Sequence, residues 1–477
     1  MNMLTIISNK GGKTMSNSQD EKLGKESIPK LMFTLALPAI LAQLINVLYN
    51  IVDRIYIGNM AGVGDLALTG VGVTFPIIML ISAFSALAGM GGAPLASIKL
   101  GAGDKDGAEK ILGNSTTLLI ICSVVLTTVF MIFKEPLLFM FGASENIIRY
   151  GLDYITIYLW GTVFVQFALG LNMYISAQGF AKTAMLSVLI GAITNIILDP
   201  IFIFGLNLGV KGAALATIIS QCLSAIWVVH FLSSKKSKSV IKIKRENLKL
   251  NKVIVGSVIA LGVAPFIMQA TESLLGIVLN SGLQKYGGDL YVGSMTIMMS
   301  VMQLLVVPIQ GLTQGVQPII SYNFGAKKYD RVKKTFRLLI VVSFAATVLG
   351  TLAIVIFPNI FVGIFTQKQE LADLTAKMIR IFMAGMWAFG IQMACQSTFM
   401  GLGQAKITLF LALLRKVILL IPLAIILPKF VGVVGIYWAE PVADIIASFT
   451  TLTIFLLSYK KILGEIKTEE NKNADIA

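Results

Sequence analysis

Apolar residues in this chain fall in long, nearly unbroken runs. They do not follow the alternating or three-in-seven spacing of half-buried strands and helices. Twelve runs stand out, at roughly 31–57, 66–97, 113–133, 147–175, 184–205, 210–232, 253–281, 291–321, 338–362, 372–400, 407–428 and 432–458. A helix needs about 20 apolar residues to cross a bilayer, and in lipid only helices or closed barrels satisfy their own backbone polar groups. The pattern therefore predicts an all-α polytopic membrane protein with twelve transmembrane helices. Several runs are longer than a straight crossing needs, which implies tilt. Prolines inside them (Pro38, Pro76, Pro200, Pro265, Pro308, Pro422, Pro441) predict kinks.

The polar segments between the runs alternate in charge. Of 39 Lys and Arg residues, 28 lie in the N-terminus, the loops after even-numbered spans and the tail, against 6 beside the other loops. By the positive-inside rule both termini and the 233–252 connector are cytoplasmic, which suits a cell-membrane protein. The expected organisation is a cytoplasmic segment 1–30, a first lobe 31–232, a basic linker 233–252, a second lobe 253–458 and a cytoplasmic tail 459–477.

Composition agrees with this picture: 56% of the 477 residues are hydrophobic, 13% are charged, and mean hydropathy is +0.83. Soluble domains carry about 25% charged residues. A net charge of +15 would suggest a nucleic-acid partner in a soluble protein. Here it sets topology, and the basic run at 235–252 lacks interleaved aromatics, so no nucleic acid is expected. Cys122, Cys222 and Cys395 lie singly in apolar runs, and there is one histidine, His230. Neither a zinc site nor a disulfide framework is readable. No H-E-x-x-H or G-x-S-x-G pattern occurs. The chain is expected to be no enzyme and to need no cofactor. The segment Lys10-Gly11-Gly12-Lys13-Thr14 resembles the end of a phosphate-binding loop, but Ile7 stands where its first glycine belongs. Met15 is the expected start, and no cleavable signal peptide is expected.

The second half repeats the first. Gly64-Asp65-Leu66 recurs as Gly288-Asp289-Leu290, Pro94 as Pro318, Gly101-Ala102 as Gly325-Ala326, and Ala181-Lys182 as Ala405-Lys406, all offset by 224. Gly209-Val210-Lys211-Gly212 returns as Gly432-Val433-Val434-Gly435, offset by 223. Six spans per half is an even number, so the lobes share one orientation. A pseudo-twofold axis along the membrane normal should relate them, with a cavity between, as in carriers.

Ionisable side chains within spans are costly and mark functional candidates. Asp53 and Arg54 lie in span 1, and Asn195 and Asp199 sit four apart on one face of span 5. Depth arithmetic brings Tyr154 of span 4 and Thr217 of span 6 to the same level. These groups should meet in the outer half of the first lobe. The alternative is structural: Asp53 neutralises Arg54, and Asp199 caps a kink at Pro200. In the second lobe, Glu272 is the acid within span 7. Arg415 of span 11 is expected to form a structural ion pair with Asp444 of span 12, which lies four residues beyond Glu440.

In order and spacing, three motifs resemble the multidrug and toxic compound extrusion (MATE) family. They are Leu48-Tyr-Asn-Ile-Val-Asp-Arg-Ile-Tyr-Ile-Gly58, Leu100-Gly-Ala-Gly-Asp104, and Asn195-Ile-Ile-Leu-Asp-Pro-Ile-Phe-Ile-Phe-Gly205 leading into Gly212-Ala-Ala-Leu-Ala-Thr217. The resemblance implies export of small-molecule organic cations and drugs in exchange for inward H+ or Na+. It also implies a first-lobe cation site of Asp53, Tyr154, Asn195, Asp199 and Thr217, with Na+ at Asp53 and Asp199 as one occupant. A second-lobe sodium site on spans 7 and 10 would use Glu272, but span 10 offers only Gln392 and Gln396 in its interior.

Two neighbouring carboxylates in a low-dielectric site resist double ionisation, so proton uptake there would alternate with cation binding. Gln43, Asn172 and Met299 are candidates for the substrate cavity, Met299 within a stripe of Met295, Met298, Met299 and Met302. Packing methionine is the plain alternative. A flippase for lipid-linked oligosaccharide or another amphipathic lipid is the rival function, kept open by Arg54 and Arg415. The chain is expected to act as a monomer in the lipid bilayer.

Overall fold

The computed structural model describes residues 18–366 and 368–474. Met15 and the 10–14 segment lie outside these residues. Among the described residues the regular structure is helical, with no strand.

Among the described residues ten helices are long and apolar enough to cross a membrane, and two bent pairs, each taken as one span, bring the number to twelve. The first six are Ile28–Gly58, Gly64–Gly101, Lys105–Met140, Ile148–Trp160 with Thr162–Ala177, Ala181–Gly205 and Val210–Ser233. The second six are Lys252–Gly287, Asp289–Gly325, Tyr329–Ile356, Gln369–Phe382 with Met386–Gly401, Ala405–Val431 and Val434–Tyr459. A short helix, Ser18–Lys25, precedes span 1. The run expected at 338–362 divides: span 9 ends at Ile356, and a separate helix Pro358–Gly363 follows, since Pro358 has no N–H to continue the ladder.

The sharpest bends fall at glycine, not at the prolines. Span 4 bends by 63° around Gly161, where an added Cβ would overlap the Ile218 side chain of span 6. Span 10 bends by 49°, and there Gly385 lies against the Pro441 backbone of span 12. Close helix approach dictates these bends, and that is invisible to a reading of local propensity.

The lobes meet by reciprocal small-residue contacts. Gly101 of span 2 packs on the Tyr322 carbonyl of span 8, and Gly325 of span 8 packs on the Ile98 carbonyl of span 2. The 224-residue offset maps one contact onto the other. Gly91 lies against Val258 and Gly262 of span 7, while Gly315 lies against Leu35 and Ala36 of span 1. Glycine lets backbones approach closely where lipid supplies no hydrophobic drive between helices. Phe84 and Phe266 stack edge-on at 4.9 Å above this seam.

All of these contacts lie toward the end of the bundle that carries the basic loops. Farther along, span 1 has no buried residue between Pro38 and Ile57. The lobes are sealed at the basic end and part beyond it.

The 233–252 connector is held against the bundle. Val240 and Ile241 are buried, and their amides donate to Gln178 Oε1 at 2.7 and 3.1 Å. Lys244 pairs with buried Glu109 at 2.5 Å.

Candidate cation site in the first lobe

The first-lobe site is built where spans 5 and 6 are forced together. Gly209, at φ +57°, turns the chain into span 6, and Gly212 sits so close to span 5 that a Cβ would be 2.7 Å from the Phe202 carbonyl. Thr217, further along span 6, thereby reaches Asn195 of span 5. Pro200 cannot donate to the preceding turn, and span 5 loosens into a π-helical stretch, Ile201–Gly205, directly after Asp199.

Asn195 Nδ2 donates to Asp199 Oδ1 at 3.1 Å and lies 3.5 Å from Thr217 Oγ1. Asp199 is fully buried, and Asn195, Thr217 and Tyr154 are buried beside it. The carboxyl groups of Asp53 and Asp199 lie within hydrogen-bonding reach of each other. The Tyr154 hydroxyl reaches Thr217 and faces Asp53. All five expected residues thus gather in one cluster. Asp53 Oδ1, Asp199 Oδ2 and Asn195 Oδ1 are buried acceptors with no hydrogen-bond partner among the described residues. An acceptor-only surface of this kind suits a proton or a small cation.

Arg54 acts electrostatically on Asp53 while its guanidinium lies 5.7 Å from the Phe75 ring centroid. Two residues here were not singled out in the sequence. Tyr49 lies one turn before Asp53 and interacts with it electrostatically. Tyr158 stacks on Tyr154, with centroids 6.1 Å apart. Both stand four residues from a named site residue, and that spacing was the available signal.

The second lobe is organised differently. Arg415 Nε donates to Asp444 Oδ1 at 2.6 Å, its terminal nitrogen reaches Glu440 Oε1 at 2.9 Å, and the guanidinium lies over Phe389 at 5.0 Å. Lys416, overlooked in the sequence, pairs with Glu272 and donates to the Met268 carbonyl at 3.3 Å. Both cations lie in the π-helical stretch Leu414–Leu420 and are buried. Glu272, half exposed, is thus paired with Lys416 in this structure. Gln392 and Gln396 are buried, and Gln396 donates to Met268 Sδ at 3.2 Å.

The residues expected at the substrate cavity make the following contacts. Gln43 crosses the lobe seam, donating to Gln314 Oε1 at 2.9 Å, because the sealed basic end brings spans 1 and 8 together. Asn172 ties span 4 to span 5 through the Ala184 carbonyl at 3.2 Å. Met295 and Met298 are packed in the second-lobe core, and Met299, partly buried, packs against it. No group of three or more His, Cys, Asp or Glu poised to hold a metal occurs among the described residues.

Comparison with known proteins extends these observations. The family model described as MatE matches residues 38–201 and again 265–426, once in each half. The chain is 26% identical over 439 residues to the "Multidrug export protein MepA" of Staphylococcus haemolyticus (strain JCSC1435), covering 91% of this chain and 96% of that protein. Against the protein of the same name from Staphylococcus aureus (strain MSSA476), identity is 26% over 443 residues, covering 92% and 96%. Among solved structures, one described as MATE in the bent conformation matches with a TM-score of 0.87 at 23% identity, over 95% of this chain and 99% of that one. The outward-facing conformation of a multidrug resistance MATE family transporter of the MOP superfamily matches with a TM-score of 0.85 at 23% identity, over 95% and 100%.

Proposed function

The chain belongs to the multidrug and toxic compound extrusion (MATE) family, and from that premise we propose that it is a cation-coupled antiporter. It exports amphipathic organic cations and drugs, driven by inward H+ or Na+. Its relatives are named multidrug export proteins, which supports that substrate class. In this reading the protein works as a monomer in the cell membrane with both termini cytoplasmic. The moving bodies are the lobes 31–232 and 253–458, joined by the basic linker 233–252. With the basic end cytoplasmic, the sealed seam corresponds to an outward-open state. Rocking of the lobes about the site then gives alternating access.

One observation carries the coupling proposal: the carboxyl groups of Asp53 and Asp199 face each other beside Asn195, Thr217 and Tyr154. Two carboxylates in contact require a proton or a cation between them. Ion entry from outside discharges the pair and favours drug release, and ion exit to the cytoplasm restores the anionic lobe. Exchange of one organic cation for one H+ or Na+ moves no net charge, so the ion's concentration gradient drives it, and each additional ion entering across 100 mV adds about 2.3 kcal/mol, a concentration ratio of roughly fifty.

The test is ethidium transport in everted vesicles carrying Asp53→Asn or Asp199→Asn, with and without Na+ and with and without a protonophore. Loss of transport in both variants is expected. Wild-type rates in either would overturn the site. Salt-insensitive transport abolished by the protonophore would assign H+.

The flippase reading needs a cationic cavity to receive pyrophosphate. Arg415 and Lys416 are instead matched by Glu440, Asp444 and Glu272, which favours the antiporter.

A further inference from the structure

A groove of about 560 Å³ lies at the basic end, where the start of span 1 meets the first three turns of span 9. Its walls come from both lobes: Ser27 precedes span 1, and Arg331, Lys334, Arg337, Leu338 and Val341 line span 9. The side chains change character along span 9. Cationic groups occupy the first turns, and Leu338 and Val341 continue into the apolar run. Lys334 and Arg337 are exposed and have no ion-pair partner among the described residues. Arg331 is committed to structure, donating to the carbonyls of Leu23 and Glu26 at 3.1 and 2.7 Å and to Asn323 Oδ1 at 3.0 Å. The nearby acid, Glu26, is taken by Lys30 at 2.8 Å.

We propose that this groove binds the headgroup phosphate of an anionic phospholipid from the leaflet at the basic end, with the acyl chain along Leu338 and Val341. Topology accounts for basic residues at this level. It does not account for two uncompensated cations gathered at the mouth of a cavity whose far wall is apolar. An inorganic anion would use the cations alone, whereas a lipid uses both walls. The occupied groove bridges the lobes, so the lipid favours the state sealed at the basic end.

The full-length protein would be reconstituted in phosphatidylcholine with and without phosphatidylglycerol. Lipid retained through purification would be counted by native mass spectrometry, alongside thermal unfolding. Phosphatidylglycerol is expected to be retained by wild type and to raise its unfolding temperature. The double variant Lys334→Gln/Arg337→Gln should retain it on the order of tenfold less, and each single variant should show part of the loss. The charge-matched control Lys235→Gln/Lys236→Gln, in the connector, should behave as wild type. Undiminished retention in the Lys334/Arg337 variants overturns the proposal, as does an equal loss in the connector control. Equal thermal protection of the phosphatidylcholine sample by inorganic phosphate would overturn the lipid assignment. The single variants keep the test valid should the double variant fold poorly.

Discussion

Lys416, buried in span 11, donates to the carboxylate of Glu272 on span 7, whose side chain remains half exposed. The pair lies beside Arg415, which holds Glu440 and Asp444; among the described residues, buried carboxylate oxygens without a hydrogen-bond partner remain in both lobes, Glu440 Oε2 in the second and Asp53 Oδ1 and Asp199 Oδ2 in the first. The second lobe thus carries a network of cations and carboxylates, whereas the first-lobe cluster joins carboxyl groups to Asn195 and Thr217.

Lys416→Met should therefore destabilise the protein through a stranded carboxylate. A fully buried pair loses 3–5 kcal/mol when one partner is removed, and the exposure of Glu272 reduces this to about 1–2 kcal/mol. Glu272→Gln in the same chain should restore most of the loss. Thermal unfolding of the two single variants and the double variant in detergent measures the coupling.

Arg415→Leu is expected to be more severe. It leaves Glu440 and Asp444 buried with no guanidinium between them, at about 3–5 kcal/mol. Loss of monodisperse protein on size exclusion is the readout, and Arg415→Lys should recover only part, since it cannot make the forked contact.

At the seam, Gly101→Leu would place a side chain against the Tyr322 carbonyl of the opposite lobe. The population should shift away from the state sealed at the basic end. Gly325→Leu should do the same at Ile98. Amide hydrogen exchange at Tyr322–Lys328 should be faster in either variant than in the parent protein, and parent-like exchange would overturn the wedge.

In the first lobe, Thr217→Val removes a hydroxyl placed between Asn195 and Tyr154. One hydrogen bond is worth about 1 kcal/mol, so ion-driven transport should slow about fivefold. Expression and dye binding should stay near the parent values. The ratio of transport to binding checks it.

Much of the fold could be read in advance because lipid imposes a coarse rule: about 20 apolar residues per crossing. The approach of Asn195 to Asp199 followed from their four-residue spacing on one helix. What escaped was set by contacts between helices. The bends at Gly161 and near Gly385 depend on Ile218 and Pro441, far away in sequence. Arg415 and Lys416 leave span 11 in different directions, and each is buried because it meets acids on a different neighbouring helix, Glu440 and Asp444 of span 12 for one and Glu272 of span 7 for the other. Gln43 read as a polar group facing a cavity, and its partner Gln314 lies 271 residues away.

The reciprocal packing of Gly101 and Gly325 has a kinetic consequence. A closure made of main chain on main chain has no side-chain lock of its own that must find a new rotamer when the lobes separate. It is also written twice, so neither half can drift alone: a bulkier residue in one copy wedges a joint that the other copy must still close. The duplication that built the carrier thus still restrains both of its halves.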